Sequence, residues 1–509
     1  MQQLTEMDYV FVQMESTRSP MHISPVIFYD QSAVANGPVR FKQILEVFRH
    51  NLHKSAVFRR KLAGGALGLD TPYWIEDADF DLEFHVRHIA LPKPGDWRQL
   101  CILLARLHAR GLDMTRPLWE AYVIEGLNEV EGLPPHSFAI MLKVHHAAID
   151  GVSGAEILSA IHSPSPELPV EPVVDDWQGE QPPSTLKVWS NAYLNNLKRP
   201  VRFVETLGKL VPNLIRANRL AGDRDTAHPP KSPAGKTRFN QRVSAFRVTD
   251  AIILDLAAVR SLKSAVEGAT VNDVIVSVVG GGLRKYLQAK GELPASSLSC
   301  GAPINVRAER NSESIGNQVG MMTIDMATDI EEALPRLRAV TEHARESKAY
   351  SSALGAKTML ELSQGLWPSV VGIGMRAATL AAVSGEMALP VHTVVSNVPG
   401  PQMPLYLAGA RVHALMGLGP TPDMMGLFHA VISGAGKISI NFVCCREMMP
   451  DPGFYRQCLQ QAYDELEAAV QASGKPRPRR KAAARARSKS SSAGQAKRAT
   501  ATRGRRGAG

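Results

Sequence analysis

Two proline-rich interruptions limit what this chain can fold into more than any other feature. SPSPELPVEPVVDDWQGEQPPS, Ser163 to Ser184, and GDRDTAHPPKSPAGK, Gly222 to Lys236, are polar and dense in residues that break helices and sheet ladders. Between them, LKVWSNAYLNNLKRPVRFVETLGKLVPNLIRANRLAG interleaves apolar and basic residues in a helical manner. The chain has 509 residues, more than one ordinary core holds. Two globular lobes joined by a helical crossover are therefore expected. The ranges read as 1–185 for the first lobe, 186–240 for the crossover, 241–474 for the second lobe and 475–509 for a tail.

Each half mixes strand-like and helix-like runs. In the second, Ser299 to Val306, Val319 to Ala327 and Lys437 to Cys444 read as strands, and Pro335 to Lys348 and Phe454 to Ala472 have helical spacing. The alternation is too irregular for a doubly wound sheet, so the fold class is a mixed α/β two-lobe protein.

Charge is unevenly placed. The formal net charge is +10, yet Lys475 to Gly509 holds thirteen Lys and Arg and no acid. Removing those 13 from the 58 basic residues leaves 45 against 48 acids, so the folded part is close to neutral and is not a basic nucleic-acid binder. The tail itself is low-complexity and expected to be disordered, with three roles open: contact with anionic lipid, contact with nucleic acid, or passive solubilisation. Cys101, Cys300, Cys444, Cys445 and Cys458 are few, odd in number and without redox spacing, which fits a reducing cytosol. The start, MQQLTEMDYVFVQ, has no basic n-region and does not read as a signal peptide. The longest apolar segment, Leu366 to Val383, is broken by Pro368 and Arg376, too interrupted for a membrane span. The expectation is a cytoplasmic protein, soluble or peripheral to a membrane, with no transmembrane helix.

The chemistry-bearing stretch is KVHHAAIDGVSG, Lys143 to Gly154. The apolar run Phe138 to Val144 before it reads as a buried strand. If His145 and His146 continue that strand, their rings point to opposite faces, one packed and one available for chemistry. Adjacent histidines make a poor metal site, and no Cys-x-x-Cys or His-Glu-x-x-His accompanies them, so no metal is expected. Asp150-Gly151 reads as a turn into a helix from Ser153 to His162. Asp150 has three open roles: orienting an imidazole, pairing with an arginine, or capping the helix.

A second helix is bounded by Thr270 and Asp273, a capping box, and stopped by Gly291. Asn272 falls in its first turn beside unpaired backbone N–H groups, where it either donates to a developing oxyanion or only stabilises the helix end. Gly280-Gly281-Gly282 lies inside that helix, which points to close packing rather than a phosphate loop. Arg116-Pro117-Leu118-Trp119-Glu120, leading into a strand from Ala121 to Glu125, and Ser396-Asn397-Val398-Pro399-Gly400-Pro401 supply no nucleophile and read as scaffolding.

Taken together these motifs carry a resemblance. HHAAIDG at His145 to Gly151 matches the HHxxxDG signature of the chloramphenicol-acetyltransferase-like superfamily. With PLWE at Pro117 to Glu120, Asn272-Asp273 and SNVPGP at Ser396 to Pro401, the chain resembles the bacterial wax ester synthase/diacylglycerol acyltransferase family over about residues 4 to 472. Leu4, Asp8, Phe11, Pro20-Met21-His22, Pro303 to Arg307 and Gly316-Asn317 are similar to that family as well. The resemblance implies two lobes around a central tunnel and an O-acyltransferase that takes acyl-CoA as a substrate, with no cofactor. Its acceptor would be diacylglycerol or a long-chain fatty alcohol. It implies His146 as general base, with His145 beside it, Asp150 as an orienting residue and Asn272 as a support for activity. The substrate-binding residues are left unassigned, with Gly151, Ser396 and Asn397 named only as motif neighbours. The sequence departs from the family at Ser433-Gly434-Ala435-Gly436 and Cys444-Cys445-Arg446, which bears on local packing and acceptor selectivity.

Long-chain acceptors live in lipid. A peripheral place on the inner membrane face or on lipid droplets follows, with Trp189, Tyr193, Leu197 and Lys198-Arg199 forming either an interfacial surface or packing between lobes. Two other functions are compatible with the sequence. One is a condensation or polyketide-associated acyltransferase with a carrier-bound donor; the other is a non-catalytic lipid-droplet or membrane-surface protein.

Overall fold

The computed structural model describes residues 2–34, 37–65, 70–149, 153–167, 177–197, 235–305, 319–354, 368–384 and 391–474. Met1–Lys475 forms one compact unit. The basic tail, most of the second proline-rich stretch, and Asp150 with Gly151 lie outside the described residues.

In chain order the strands are β1 (Gln2–Gln3), β2 (His22–Asp30), β3 (Arg60–Ala63), β4 (Tyr73–Glu76), β5 (Val86–Ala90), β6 (Trp119–Glu125) and β7 (Phe138–His145). They continue with β8 (Arg247–Asp255), β9 (Ser299–Asn305), β10 (Val319–Asp325), β11 (Thr393–Pro399), β12 (Tyr406–Leu407), β13 (Ala410–Leu418), β14 (Leu427–Gly434) and β15 (Lys437–Cys445). Two six-stranded sheets result, ordered β12-β13-β2-β7-β6-β5 and β10-β9-β11-β14-β15-β8, with a small sheet β1-β4-β3 beside them. Most neighbours are antiparallel, but β5 with β6 and β11 with both β9 and β14 are parallel. The irregular alternation of elements in the sequence corresponds to this mixed pairing.

One segment crosses between sheets. β13 belongs to the second half of the chain yet pairs with β2 from Arg411↔Asp30 to Leu418↔Ser24. The range 241–474 is thus not confined to one sheet. A strand buried on both faces needs neighbours on every side, and β13 finds them between β12 and β2 and against the second sheet. The Ser439 hydroxyl donates to the Leu415 carbonyl at 2.7 Å. Gly417 leaves the room: a Cβ there would lie 2.6 Å from Ile432 Cδ1. Polar ties between the lobes add to this contact. Trp97 Nε1 donates to Asp250 at 2.7 Å, and Arg247 donates to the Arg18 carbonyl at 2.6 Å.

β7 is buried along its whole length because it separates two apolar layers. Ile140, Leu142 and Val144 pack with Trp119 and Phe48 on one face, and Ala139 and Met141 pack with Leu100, Leu104 and Tyr122 on the other. Alternation places Lys143 and His145 on the Met141 side. In the second lobe the helix Val271–Ala289 begins with the expected capping box: Asp273 N donates to Thr270 Oγ1 at 3.2 Å, and Thr270 N to Asp273 Oδ2 at 2.7 Å. The glycine triplet brings this helix against its neighbours. A Cβ on Gly282 would meet Leu459 of the helix Pro452–Ala472 at 2.7 Å, and one on Gly280 would meet the Met326 carbonyl at 2.5 Å. Here the glycines serve packing, as their place inside the helix indicated.

Candidate active site

The strand that carries the histidines is held by the PLWE segment. The Leu118 carbonyl accepts the His145 N–H at 2.9 Å. Trp119 fills the layer beneath, its indole N–H donating to the Phe58 carbonyl at 2.9 Å and its ring stacked on His85 at 4.8 Å. Glu120 faces Lys143 across the β6–β7 register, with Nζ to Oε2 at 3.4 Å, and accepts the Tyr122 hydroxyl at 2.6 Å. Lys143 also donates to the Arg110 carbonyl at 2.8 Å. Burial pushes its ammonium pKa down, while Glu120 pulls it the other way. The motif's work is to anchor a charge-bearing strand in an apolar layer.

The strand ends one residue earlier than a shared extended conformation of the two histidines would need. His145 closes β7, and His146 opens a 3-10 turn, His146–Ala148. The reason is local. His145 caps that turn, its Nδ1 accepting the Ala147 N–H at 3.1 Å. The two rings still part company, now through the turn rather than through strand alternation.

His145 is fully buried. Since Nδ1 is an acceptor, the ring proton sits on Nε2, which faces Glu15 Oε2 at 3.4 Å. Across the β2–β7 register His22 pairs with His145, and its Nε2 donates to the His108 carbonyl at 2.8 Å. His108 accepts the Ser24 hydroxyl at Nδ1, 2.8 Å, and donates from Nε2 to the Gly419 carbonyl at 3.0 Å. Burial pushes His108 down to about 3 and His22 well below the usual imidazole value, so this wall behind His145 is neutral at physiological pH.

His146 is only half-buried, and its backbone N–H donates to the Met21 carbonyl at 2.8 Å. Its ring stacks on Phe11, centroids 3.8 Å apart and planes 16° apart. Burial, and then the neighbouring His145, push its pKa down to about 4. The imidazole is thereby kept in the unprotonated form that a general base requires. Negative charge growing nearby during a reaction would raise its proton affinity.

Activity gives a direct measure of this environment. A rate that depended on neutral His146 would rise as pH climbs through the folded-state value and level off above it. We expect kcat/KM to be flat between about pH 6 and 8, whereas an imidazole at its ordinary value of about 6.5 would lose about three quarters of its base form by about pH 6. A pH profile bending near 6.5 would show a hydrated, unshielded ring instead.

The remaining sequence-derived residues fall in three places. Asn272 occupies the first turn of Val271–Ala289 and is half-buried; among the described residues no hydrogen bond joins it to either histidine. Ser396 and Asn397 lie half-buried on β11, opposite Ala430 and Val431 of β14. Asp150 and Gly151 are outside the described residues. Among the described residues no three His, Cys, Asp or Glu side chains gather as a metal site would require. Gly434 and Lys437 flank a two-residue hairpin whose Ala435 and Gly436 both have positive φ, 51° and 77°, so the departure there is a tight turn.

Phe11 and Glu15 were not singled out from the sequence as site residues. They come from the helix Glu6–Met14 and its C-terminal cap, which packs on the histidine turn and on the helix Pro368–Ser384. Phe11 belongs to the opening that resembles the family, but nothing in local spacing points it or Glu15 toward the histidines.

Two family models match this arrangement: the wax ester synthase/diacylglycerol acyltransferase catalytic domain over residues 4–275, and the WS/DGAT C-terminal domain over residues 315–467. The chain belongs to the wax ester synthase/diacylglycerol acyltransferase family. It is therefore an enzyme of that acyltransferase class. A relative named probable diacylglycerol O-acyltransferase in Mycobacterium tuberculosis is 31% identical over 475 residues, 91% of this chain and 98% of that one. The O-acyltransferase WSD of Acinetobacter baylyi is 29% identical, covering 92% of this chain and 96% of its own. Among solved structures, the wax ester synthase/diacylglycerol acyltransferase of Marinobacter aquaeolei superposes with a TM-score of 0.62 at 25% identity, over 92% of this chain and all of that one. The first condensation domain of a calcium-dependent antibiotic synthetase shares the fold, with a TM-score of 0.53 at 14% identity. The chloramphenicol-acetyltransferase-like architecture expected of the family is the one observed.

Proposed function

We propose that this family member transfers a long-chain acyl group from acyl-CoA to diacylglycerol or to a long-chain fatty alcohol, with His146 as the general base. The observation that carries the reading is an imidazole kept neutral, covered on one face by Phe11 and only half-buried as a residue. An alcohol is a weak nucleophile near neutral pH, so its proton must leave as the new bond forms. His146 takes that proton while the hydroxyl oxygen attacks the thioester carbonyl. The tetrahedral intermediate then collapses, the carbon–sulfur bond breaks, and the imidazolium returns the proton to the CoA thiolate. Asn272 and the helix-end N–H groups beside it are the donors assigned to the oxyanion, and Asp150 is assigned to orient the site. Both substrates carry long chains, so the reading includes a tunnel open to His146 from two sides.

The test is an assay of purified protein with palmitoyl-CoA and, in parallel, diacylglycerol and hexadecanol. Ester formation matched by CoA release supports it. Turnover with an acyl-carrier thioester but none with palmitoyl-CoA would favour the carrier-dependent reading.

Such acceptors must be collected from a lipid surface, and the helical residues 185–197 suit that role. Val188 and Ala192 pack on Tyr73, while Asn191 and Asn195 donate to Tyr73, Gln3 and Asp70, which ties one side to the small sheet. Leu186, Trp189, Tyr193 and Leu197 lie on the opposite side at helical spacing, with Leu186 81% and Tyr193 67% exposed. An aromatic and aliphatic stripe next to Lys198-Arg199 fits the boundary of an anionic membrane, and the tail of thirteen basic residues adds to the attraction. Among the described residues no helix is long and apolar enough to cross a membrane. Replacing Trp189, Tyr193 and Leu197 by Ala together should lower binding to vesicles containing phosphatidylglycerol by roughly tenfold or more. Flotation unchanged by the triple substitution would reject this surface.

A further inference from the structure

The segment that precedes β2 touches both histidines from outside the strand that bears them: Glu15 faces His145 and Phe11 stacks on His146. Glu15 caps the helix Glu6–Met14, its own N–H donating to the Phe11 carbonyl at 3.1 Å. Its carboxylate reaches in two directions. Oε2 accepts the backbone N–H of Met21, and the same oxygen faces His145 Nε2 at 3.4 Å. Each contact leads to one side of His146. The Met21 carbonyl accepts the His146 N–H at 2.8 Å, and the His145 Nδ1 accepts the N–H of Ala147 at 3.1 Å.

We propose that Glu15 is a positioning residue for acyl transfer: it holds the Met21 backbone and the His145 ring that together set the turn presenting His146. At 3.4 Å the contact with His145 is longer than an ordinary hydrogen bond, so the carboxylate acts on the ring as a charge. A negative charge beside Nε2 favours the tautomer with its proton there. That tautomer leaves Nδ1 with a lone pair for the Ala147 N–H. The other tautomer would set an N–H against an N–H and open the turn. The arrangement follows a general pattern in which the group behind a working histidine fixes its neighbours' geometry without touching substrate. Phe11, one helical turn before Glu15, closes the same device by covering the His146 face.

The alternatives for Glu15 are weaker. It is partly exposed, which suits a surface carboxylate, but an ordinary surface group does not share one oxygen between a backbone N–H and a buried imidazole. A simple helix cap would need its backbone alone, and the Glu15 N–H already satisfies that role.

This inference rests on His146 being the base, so the experiment separates the two. Full-length Glu15→Gln, Glu15→Ala and His146→Ala proteins are assayed with palmitoyl-CoA and diacylglycerol, alongside thermal melts. Glu15→Gln keeps the size and one acceptor while losing the charge. It should lower kcat about tenfold, and Glu15→Ala closer to a hundredfold, with KM for palmitoyl-CoA within about twofold of wild type. The melting temperature of Glu15→Gln should stay at the wild-type value. Wild-type kcat in Glu15→Gln, or a loss in Glu15→Ala that matches only its loss of folded protein, overturns the positioning role. Activity surviving in His146→Ala instead removes the base assignment beneath it, whatever the Glu15 variants do.

Discussion

His146→Ala is expected to lower acyl transfer by at least about a hundredfold, and up to the ten-thousandfold that loss of a general base can cost. Its binding of palmitoyl-CoA should be unchanged. The turn is held by the His146 backbone N–H, the His145 cap and Met21, none of which the substitution removes. The variant protein should therefore fold with a melting temperature near wild type. Turnover, not stability, is the quantity that moves. Single-turnover measurements with preloaded palmitoyl-CoA read the chemical step apart from binding. A folded His146→Ala protein that transfers acyl groups at the wild-type rate would end the mechanism proposed above.

Glu120→Ala should give the largest loss of stability. Lys143 is completely buried, and Glu120, itself 9% exposed at the side chain, is the carboxylate 3.4 Å from its ammonium. Removing one partner of a buried pair leaves the other charge without compensation, which costs about 3 to 5 kcal/mol. The Tyr122 hydroxyl loses its 2.6 Å acceptor at the same time, and Arg87, 3.5 Å from Glu120 Oε1, loses a counter-charge. Urea denaturation should show the loss as a lower midpoint. The double variant Glu120→Leu with Lys143→Met should recover most of it, because neither side chain then buries a charge. A Glu120→Ala protein within about 1 kcal/mol of wild type would mean that Lys143 sheds its proton or finds another partner.

Local patterns proved to be reliable guides to elements. The run Phe138 to Val144 is β7 with one more residue, and the strand expected over Lys437 to Cys444 is β15 with one more. Thr270, Asp273 and Gly291 bracket the helix Val271–Ala289 as capping chemistry requires. Each of these depends on side chains within a few residues of one another. The same holds for the neutral character of the folded part, since charge is a sum over residues and needs no geometry.

What could not be read were pairings across long stretches of chain. β13 lies nearly 400 residues after β2 in sequence and pairs with it, and no local signal distinguishes a strand that stays with its own sheet from one that crosses. Glu15 and Phe11 meet the histidines from about 130 residues away, through a helix whose apolar spacing would suit any surface. The environment of His146 belongs to the same class of fact, because a lowered pKa comes from what packs around a ring rather than from the ring's own segment. The sequence by itself determined the elements, the charge balance and, through its motifs, the family. Only the tertiary structure decided which imidazole is walled in, which is left half-buried against Phe11, and which distant carboxylate stands beside them, since burial and register exist only once the chain has closed on itself.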